Sequence, residues 1–181
     1  IIKVVNKGVN KRVTGPVAKM KSSYNHSLQL IPLDIVQAST LLDKAGWLMD
    51  EKTGIRYTLI DGKKKFLELE LIFLATVPEW KEMALMIAES MKKAGVLLKL
   101  NAVDLNGWLE KGCSHDFDLI MGSWNSSSLP EDYSQLWSTE SWNNQGLNLT
   151  GFGNETSDRI IDSIAVTLND SLRNAMEFRL Q

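Results

Sequence analysis

The sequence predicts an α/β fold: a mostly parallel βαβ sheet flanked by helices. Three observations lead there. A β-rich run at 66–74, a helical stripe at 78–94 and a second β-rich run at 96–103 follow one another with short joints. Two strands joined through a helix must run parallel, and the crossover is right-handed. A third β-rich run at 117–123 comes after a short helical segment, which repeats the pattern.

The chain has 181 residues, enough for one domain or one large lobe with a real core. Its composition, 44% hydrophobic and 23% charged, is ordinary for a globular protein. A formal net charge of -2 and a pI near 5.7 give no attraction to nucleic acid. The basic run Lys63-Lys64-Lys65 reads as a solvated turn before a strand. The single cysteine, Cys113, allows no disulfide within the chain. The most apolar stretch, 67–77, is too short for a membrane span and carries Glu68 and Glu70. The chain begins Ile1-Ile2, so an excised piece is expected, and the lack of a visible export signal says nothing about localisation.

Taken in order, Ile1 to Val5 has the composition of an edge strand. Gly15-Pro16-Val17 is a turn or extended segment, because proline biases its predecessor away from helix. Asp34 is a good N-cap with Gln37 three residues on, and Ile35, Val36, Ala38, Leu41, Leu42 and Ala45 supply an apolar face. Gly46 closes that helix and Trp47 follows. Residues 55–60 and 66–74 form a hairpin signal around Asp61-Gly62. Within the second run Leu67, Leu69 and Leu71 alternate with Glu68 and Glu70 before Ile72-Phe73-Leu74, a strand half exposed at its start and buried at its end.

Thr76-Val77-Pro78-Glu79 is a helix start, with threonine at the N-cap and proline in the first turn. Trp80, Met83, Ala84, Ile87, Ala88 and Met91 then make one core-facing stripe. Gly95 stops the helix. Asp104 caps a short helix bearing Leu105, Trp108 and Leu109, which Gly112 ends. Pro130 to Trp137 reads as helix and 138–148 as loop. Asn154 or Thr156 caps a helix with Ile160, Ile161, Ile164 and Leu168 inward. Asn169-Asp170 breaks it, and a last amphipathic helix covers 171–180.

Catalytic and cofactor motifs are missing from this order. The sequence has no GxxxxGK[ST], no GxGxxG after a strand and no GxSxG elbow around Ser123. Cys113-Ser114-His115-Asp116 lacks the second ligand pair of a structural zinc site and reads as a polar turn, so neither metal nor cofactor is expected. Five Asn-x-Ser/Thr sequons, at Asn25, Asn125, Asn148, Asn154 and Asn169, reflect composition. What remains is binding. In open α/β sheets ligands sit beyond the carboxyl ends of parallel strands. The third strand ends at Ser123-Trp124, followed by Asn125, Ser126, Ser127 and Ser128. An indole offers a flat apolar face and one donor, and the Asn and Ser side chains offer donors and acceptors. These six residues are the candidate ligand-binding set. Trp124 as plain core at a strand end is the competing reading.

Five segments, in order, also resemble a known family. Gly15-Pro16-Val17, the helix end Ala38-Ser-Thr-Leu-Leu-Asp-Lys-Ala-Gly-Trp47, and the helix-to-strand boundary Ala88-Glu-Ser-Met-Lys-Lys-Ala-Gly-Val96 are three of them. The strand Asp116-Phe-Asp-Leu-Ile-Met-Gly-Ser-Trp124 and Gly151-Phe-Gly-Asn154 with Asp158 and Ile161-Asp162 complete the set. Together they are similar to the extracytoplasmic solute-binding proteins of ABC transporters, in family 5 with its oligopeptide-, dipeptide- and nickel-binding members. The resemblance covers roughly residues 15 to 165.

It implies that 1–181 is the C-terminal lobe of a two-lobed, type II periplasmic-binding-protein-like fold, with residues 1–15 and 171–181 near the hinge to a missing first lobe. It further implies a non-enzymatic, monomeric protein, periplasmic or extracytoplasmic and open to lipid anchoring. Such a protein closes on a small-molecule or peptide ligand and docks on an ABC permease. In peptide-binding members an Asp three residues after the strand-end Trp pairs with the ligand's α-amino group. Ser127 stands at that position here, and the loop before Pro130 is one residue shorter. A neutral hydroxyl cannot supply that charge-assisted bond; Glu131 or Asp132 is the available substitute, though both are expected in the next helix. Two alternatives stand beside this reading: a small α/β hydrolase-like or transferase domain using Ser123 or Ser126 with His115, and a sensor lobe of the same fold fused to a regulator.

Overall fold

The computed structural model describes residues 1–124, 132–143 and 146–181. The chain divides into two compact units. The first comprises Ile1–Asn10, Pro32–Leu109 and Phe117–Gly122, and the second Lys11–Ile31, Glu110–Asp116 and Ser123–Gln181.

In the first unit, helix α1 (Ile35–Lys44) leads to the short strand β1 (Leu48–Met49). Asp34 caps α1 as the sequence indicates, accepting the Gln37 N–H at 2.8 Å. Strands β2 (Arg56–Ile60) and β3 (Lys63–Phe66) follow, and β1-β2-β3 form an antiparallel sheet. Asp61 and Gly62 both adopt positive φ at the tip of the hairpin, as a tight two-residue turn demands. The register pairs Ile60 with Lys63 and Tyr57 with Phe66, so the partner of β2 is the lysine run with Phe66, and the rest of 66–74 pairs elsewhere.

Strand β4 (Glu68–Leu74) belongs to a second sheet, ordered β5-β4-β6, with β5 at Leu97–Val103 and β6 at Leu119–Ile120. Both pairings of β4 are parallel. Helix α2 (Pro78–Lys92) makes the first crossover and α3 (Leu105–Cys113) the second. The βαβ expectation holds, and β6 lies on the opposite edge of β4 from β5. The third strand is shorter than the 117–123 read from sequence.

β4 is the centre of this sheet and its burial follows from that place. Leu71 and Phe73 pack on Ala84 and Leu98, with Trp80, Ile87, Ala88 and Met91 of α2 around them. Ile72, between them, points to the other face and is fully buried too. The Glu68 and Glu70 end is solvated; Glu68 pairs with Lys99, and Asn101 donates to Glu70. The expected gradient along this strand, exposed first and buried last, is what the structure has.

Three helices of this chain end in the same way, each just before a strand. After α1, the Gly46 N–H reaches Asp43 O at 3.0 Å and the Trp47 N–H reaches Leu42 O at 3.0 Å. After α2, Gly95 and Val96 bond to Lys92 and Met91 in the same pattern. These are Schellman motifs with a left-handed glycine at C′. After α3 the left-handed residue is His115, at φ 57°, and Asp116 N–H bonds to Lys111 O at 3.0 Å. The expectation that Gly112 ends this helix is out by one residue: the helix runs to Cys113, and His115, not a glycine, takes the left-handed position beyond it.

The first two helix ends meet on one buried guanidinium. Arg56, 3% exposed, donates from Nε to Ala94 O at 2.8 Å and from Nη1 to Trp47 O at 2.6 Å and Asp43 Oδ1 at 2.5 Å. Its Nη2 reaches Ser39 O at 3.3 Å. Its backbone N–H bonds to Gly95 O at 2.7 Å. A Cβ on Gly95 would stand 2.8 Å from both Arg56 Cγ and Met49 Cε, so glycine is required there by space as well as by φ.

Four further expectations are corrected. Residues 1–5 form a turn closed by Val4 and Val5 N–H bonds to Ile1 O, not a strand. The N-cap of α2 is Val77, without a side-chain bond, since Pro78 already supplies the N1 conformation. Helix α1 buries no residue of its own despite its apolar face. Lys63–Lys65 is strand and not turn; Lys64 donates to the Asp50 carboxylate at 2.5 Å and sits over the Tyr57 ring at 4.0 Å.

The second unit is helical. It has helices α4 (Ser134–Trp137), α5 (Thr139–Asn143), α6 (Glu155–Val166) and α7 (Asp170–Leu180), and its core is Tyr133, Ile161 and Ile164, with Trp137, Ile160, Met176 and Leu180 alongside. The helix expected over 130–137 is restricted among described residues to α4, and part of the expected 138–148 loop is α5. Asn154 caps α6 in a full capping box with Ser157. Asp158 holds the start of α5 through the Thr139 N–H at 3.0 Å. Asn148, fully buried, donates to Ser138 O and Phe152 O. α7 is tied to 22–25 by Ser23–Glu177 at 2.5 Å, Asn174–Ser22 at 2.9 Å and Gln181–Ser23 at 2.7 Å.

Replacing Arg56 by Met leaves the Ala94 and Trp47 carbonyls without their side-chain donor. We expect a loss of about 1–3 kcal/mol in urea unfolding, the cost of leaving buried polar groups unsatisfied. A second effect depends on pH. Lys64 and the N–H groups of Thr53 and Lys52 hold the Asp50 carboxyl down at about 2, against an ordinary 3.8. A carboxyl with a lowered folded pKa contributes stability above its unfolded pKa and loses it as pH falls toward the folded one. Asp50→Asn is therefore expected to lower the melting temperature at pH 7, with the gap from the native protein closing between about pH 4 and 2.

Candidate functional site

The segment that carries the candidate residues leaves β6 through Met121 and Gly122. Trp108 of α3 holds this exit: its Nε1–H donates to Met121 O at 2.8 Å. Its ring lies so close to Gly122 that a Cβ there would be 3.3 Å from Cζ2. Glycine at 122 is thus a matter of room for the indole. The neighbouring strand start is fixed by Asp118, which accepts the Glu70 N–H at 2.8 Å.

Beyond Gly122 come Ser123 and Trp124, both exposed. Trp124 is 53% accessible, so it is not simply core at a strand end. The other four candidates, Asn125, Ser126, Ser127 and Ser128, lie outside the described residues, as do Pro130 and Glu131.

Within the second unit, Trp124 is one wall of a small pocket of about 70 Å³. Pro16, Asp132, Tyr133, Leu136 and Trp137 complete it. Each wall has a local cause. Tyr133 and Trp137 lie four residues apart across the first turn of α4, and the Trp137 N–H bonds to Tyr133 O at 3.0 Å. The Tyr133 ring is anchored among Ile161 and Ile164. Trp137 is steadied from behind by Phe152, edge-on at 5.6 Å. Asp132 is oriented by Ser134, whose N–H and hydroxyl reach its Oδ1 at 2.9 and 2.5 Å. The pocket is aromatic with one carboxylate. None of these five partners stands in the sequence-derived set. Their signal is the aromatic pair at i, i+4 in 133–137, which in the sequence reads only as part of a helix.

His115, the base of the hydrolase alternative, is occupied otherwise. Its ring stacks on Trp142 at 3.5 Å and 15°. Its buried Nε2 has no hydrogen-bond partner among the described residues, so it engages no serine hydroxyl there. Trp142 in turn abuts Gly151, where a Cβ would be 3.2 Å from the indole. His115 serves as the left-handed terminus of α3 and half of an aromatic stack. Among the described residues, no three His, Cys, Asp or Glu side chains converge as a metal site would require.

Comparison with known proteins agrees with this architecture. The model for bacterial extracellular solute-binding proteins, family 5, middle region, matches residues 1–146. The oligopeptide-binding protein AppA of Bacillus subtilis is 26% identical over 144 residues, 78% of this chain and 25% of the relative. The crystal structure of an oligopeptide-binding protein from Thermus thermophilus, complexed with a pentapeptide, superposes with a TM-score of 0.82 at 20% identity. The match covers 99% of this chain and 32% of that one. NikA from Brucella suis, in complex with Fe(III)-EDTA, gives 0.75 at 24% identity, over 99% of this chain and 35% of that one.

The chain belongs to family 5 of the bacterial extracellular solute-binding proteins. This is a family of binding proteins and not of enzymes, and the matches lend no support to the hydrolase or regulator alternatives. The chain spans about a quarter of the length of the curated relatives it matches. Among the described residues no helix is long and apolar enough to cross a membrane.

Proposed function

We propose that this chain is the ligand-binding, C-terminal lobe of an ABC-transporter solute-binding protein. In this reading residues 1–181 form one lobe, with 1–15 and 171–181 near the hinge to a first lobe. The whole protein captures a peptide-like or other small polar solute between its lobes. It delivers the solute to a membrane permease as a periplasmic or extracytoplasmic monomer.

One observation carries the reading: Trp124, half exposed, forms the wall of an aromatic pocket just past a parallel strand in a chain of this family. A half-exposed indole beside other aromatic rings offers apolar area that a bound ligand would cover. The pocket is too small to enclose a whole ligand, which fits a lobe that supplies part of the contact. In this proposal Ser123 and the sequence-derived candidates Asn125, Ser126, Ser127 and Ser128 supply hydroxyl and amide groups to the ligand. The match to oligopeptide-binding relatives supports a peptide, and the Fe(III)-EDTA complex of NikA supports a wider range of polar solutes.

The test is calorimetry on the full-length protein with peptide pools and metal chelates. A saturable ligand is expected, bound without turnover. Trp124→Ala is expected to weaken it on the order of tenfold or more, as loss of a buried aromatic anchor does. Unchanged affinity would show that Trp124 is not part of the site.

A further inference from the structure

An accessible sulfur lies against the buried Arg56 joint. The chain has seven methionines. Two are exposed, Met20 at 93% and Met49 at 44%, and the other five are half-buried. Met20 lies in a turn outside any helix or strand. Met49 lies in β1, opposite Arg56 in the register. Two residues before it, Trp47 O accepts a bond from Arg56 Nη1. The Met49 thioether packs over Gly95: a Cβ there would stand 2.8 Å from its Cε and 3.2 Å from its Sδ. The same Cβ would stand 2.8 Å from Arg56 Cγ. Thioether and arginine stem therefore close on one glycine with no room for a methyl group between them. This contact covers the backbone bond from the Arg56 N–H to Gly95 O, 2.7 Å long.

We infer that Met49 is an oxidation site for peroxide-class oxidants, and that its sulfoxide loosens the Arg56–Gly95 joint. In the step, a sulfur lone pair attacks one oxygen of hydrogen peroxide. The O–O bond breaks as the S–O bond forms, and the departing hydroxide takes the proton of the transferred oxygen and leaves as water. Sulfur is oxidised by two electrons and the peroxide is reduced by two. The product replaces a flexible apolar tip with a polar one. Its oxygen demands hydrogen-bond donors. Turned outward, it draws the tip off Gly95 into water. Turned inward, it enters a space that has no room for a methyl. Either way the cover over the joint is lost. Met20 shares the accessibility and has no such contact to lose, so it is the internal control.

The experiment treats the full-length protein with dilute hydrogen peroxide. Peptide mapping by mass spectrometry follows the gain of one oxygen at each methionine, and hydrogen exchange follows the backbone amides of residue 56 and of 95–97. Met20 and Met49 are expected to oxidise before the five half-buried methionines. Oxidation is expected to speed exchange of those amides on the order of tenfold, a local opening and not a global one. Met20→Leu should keep that response, and Met49→Leu, which preserves the apolar volume, should abolish it. Met49→Gln, polar and of similar length, should speed the same exchange without any oxidant. Oxidation of Met49 no faster than that of the half-buried methionines would overturn the inference. So would unchanged exchange at 56 and 95–97 once Met49 is oxidised, or an equal response in Met49→Leu.

Discussion

The buried guanidinium of Arg56 is the interaction on which the first unit depends. Its bonds to Ala94 O, Trp47 O and Asp43 fasten two helix ends to one strand. Those ends are Schellman turns, which leave backbone carbonyls facing inward and in need of donors. The fixed N–H groups of one planar cation can meet several carbonyls at once, which an ammonium cannot do as well. Gly95 then has two reasons to be glycine, its positive φ and the Arg56 stem against its Cα. The joint fixes where β5 starts beside β4, and β4 sets the register of β6. From β6 the chain leads through the Trp108–Gly122 contact to Trp124.

This order explains what can be read from the sequence. Ala-Gly-Trp47 and Ala-Gly-Val96 are visible as helix ends because glycine takes left-handed backbone without strain. The third end of the same kind is hidden because His115 fills the left-handed place and Gly112, an apparent terminator, lies inside the helix. The parallel sheet is legible because a fully apolar 71–74 next to a helical stripe admits few alternatives. The division of 63–74 into two strands of two sheets is not, since Phe66 and Leu67 are adjacent apolar residues that read as one continuous run, and only the tertiary pairing separates Phe66 from Glu68.

The binding segment is legible in part. Strand-end logic locates Ser123 and Trp124, and the family resemblance agrees with it. Pro16 cannot be foreseen as a partner because sequence distance hides it: it lies more than a hundred residues before Trp124. A small aromatic pair inside an expected helix carries no sign of which face it shows. His115 illustrates the converse. Its residue type suggests chemistry, while its backbone angle and its stack on Trp142 give it a conformational role.

The central claim is that this lobe holds a solute against Trp124 and the entry to α4. Hydrogen exchange on the full-length protein, read by mass spectrometry with and without a bound solute, tests it most directly. Protection should rise in the backbone amides of 122–137 and stay unchanged in the β2–β3 hairpin, whose bonds do not involve the pocket. Equal exchange in 122–137 with and without solute would contradict the claim.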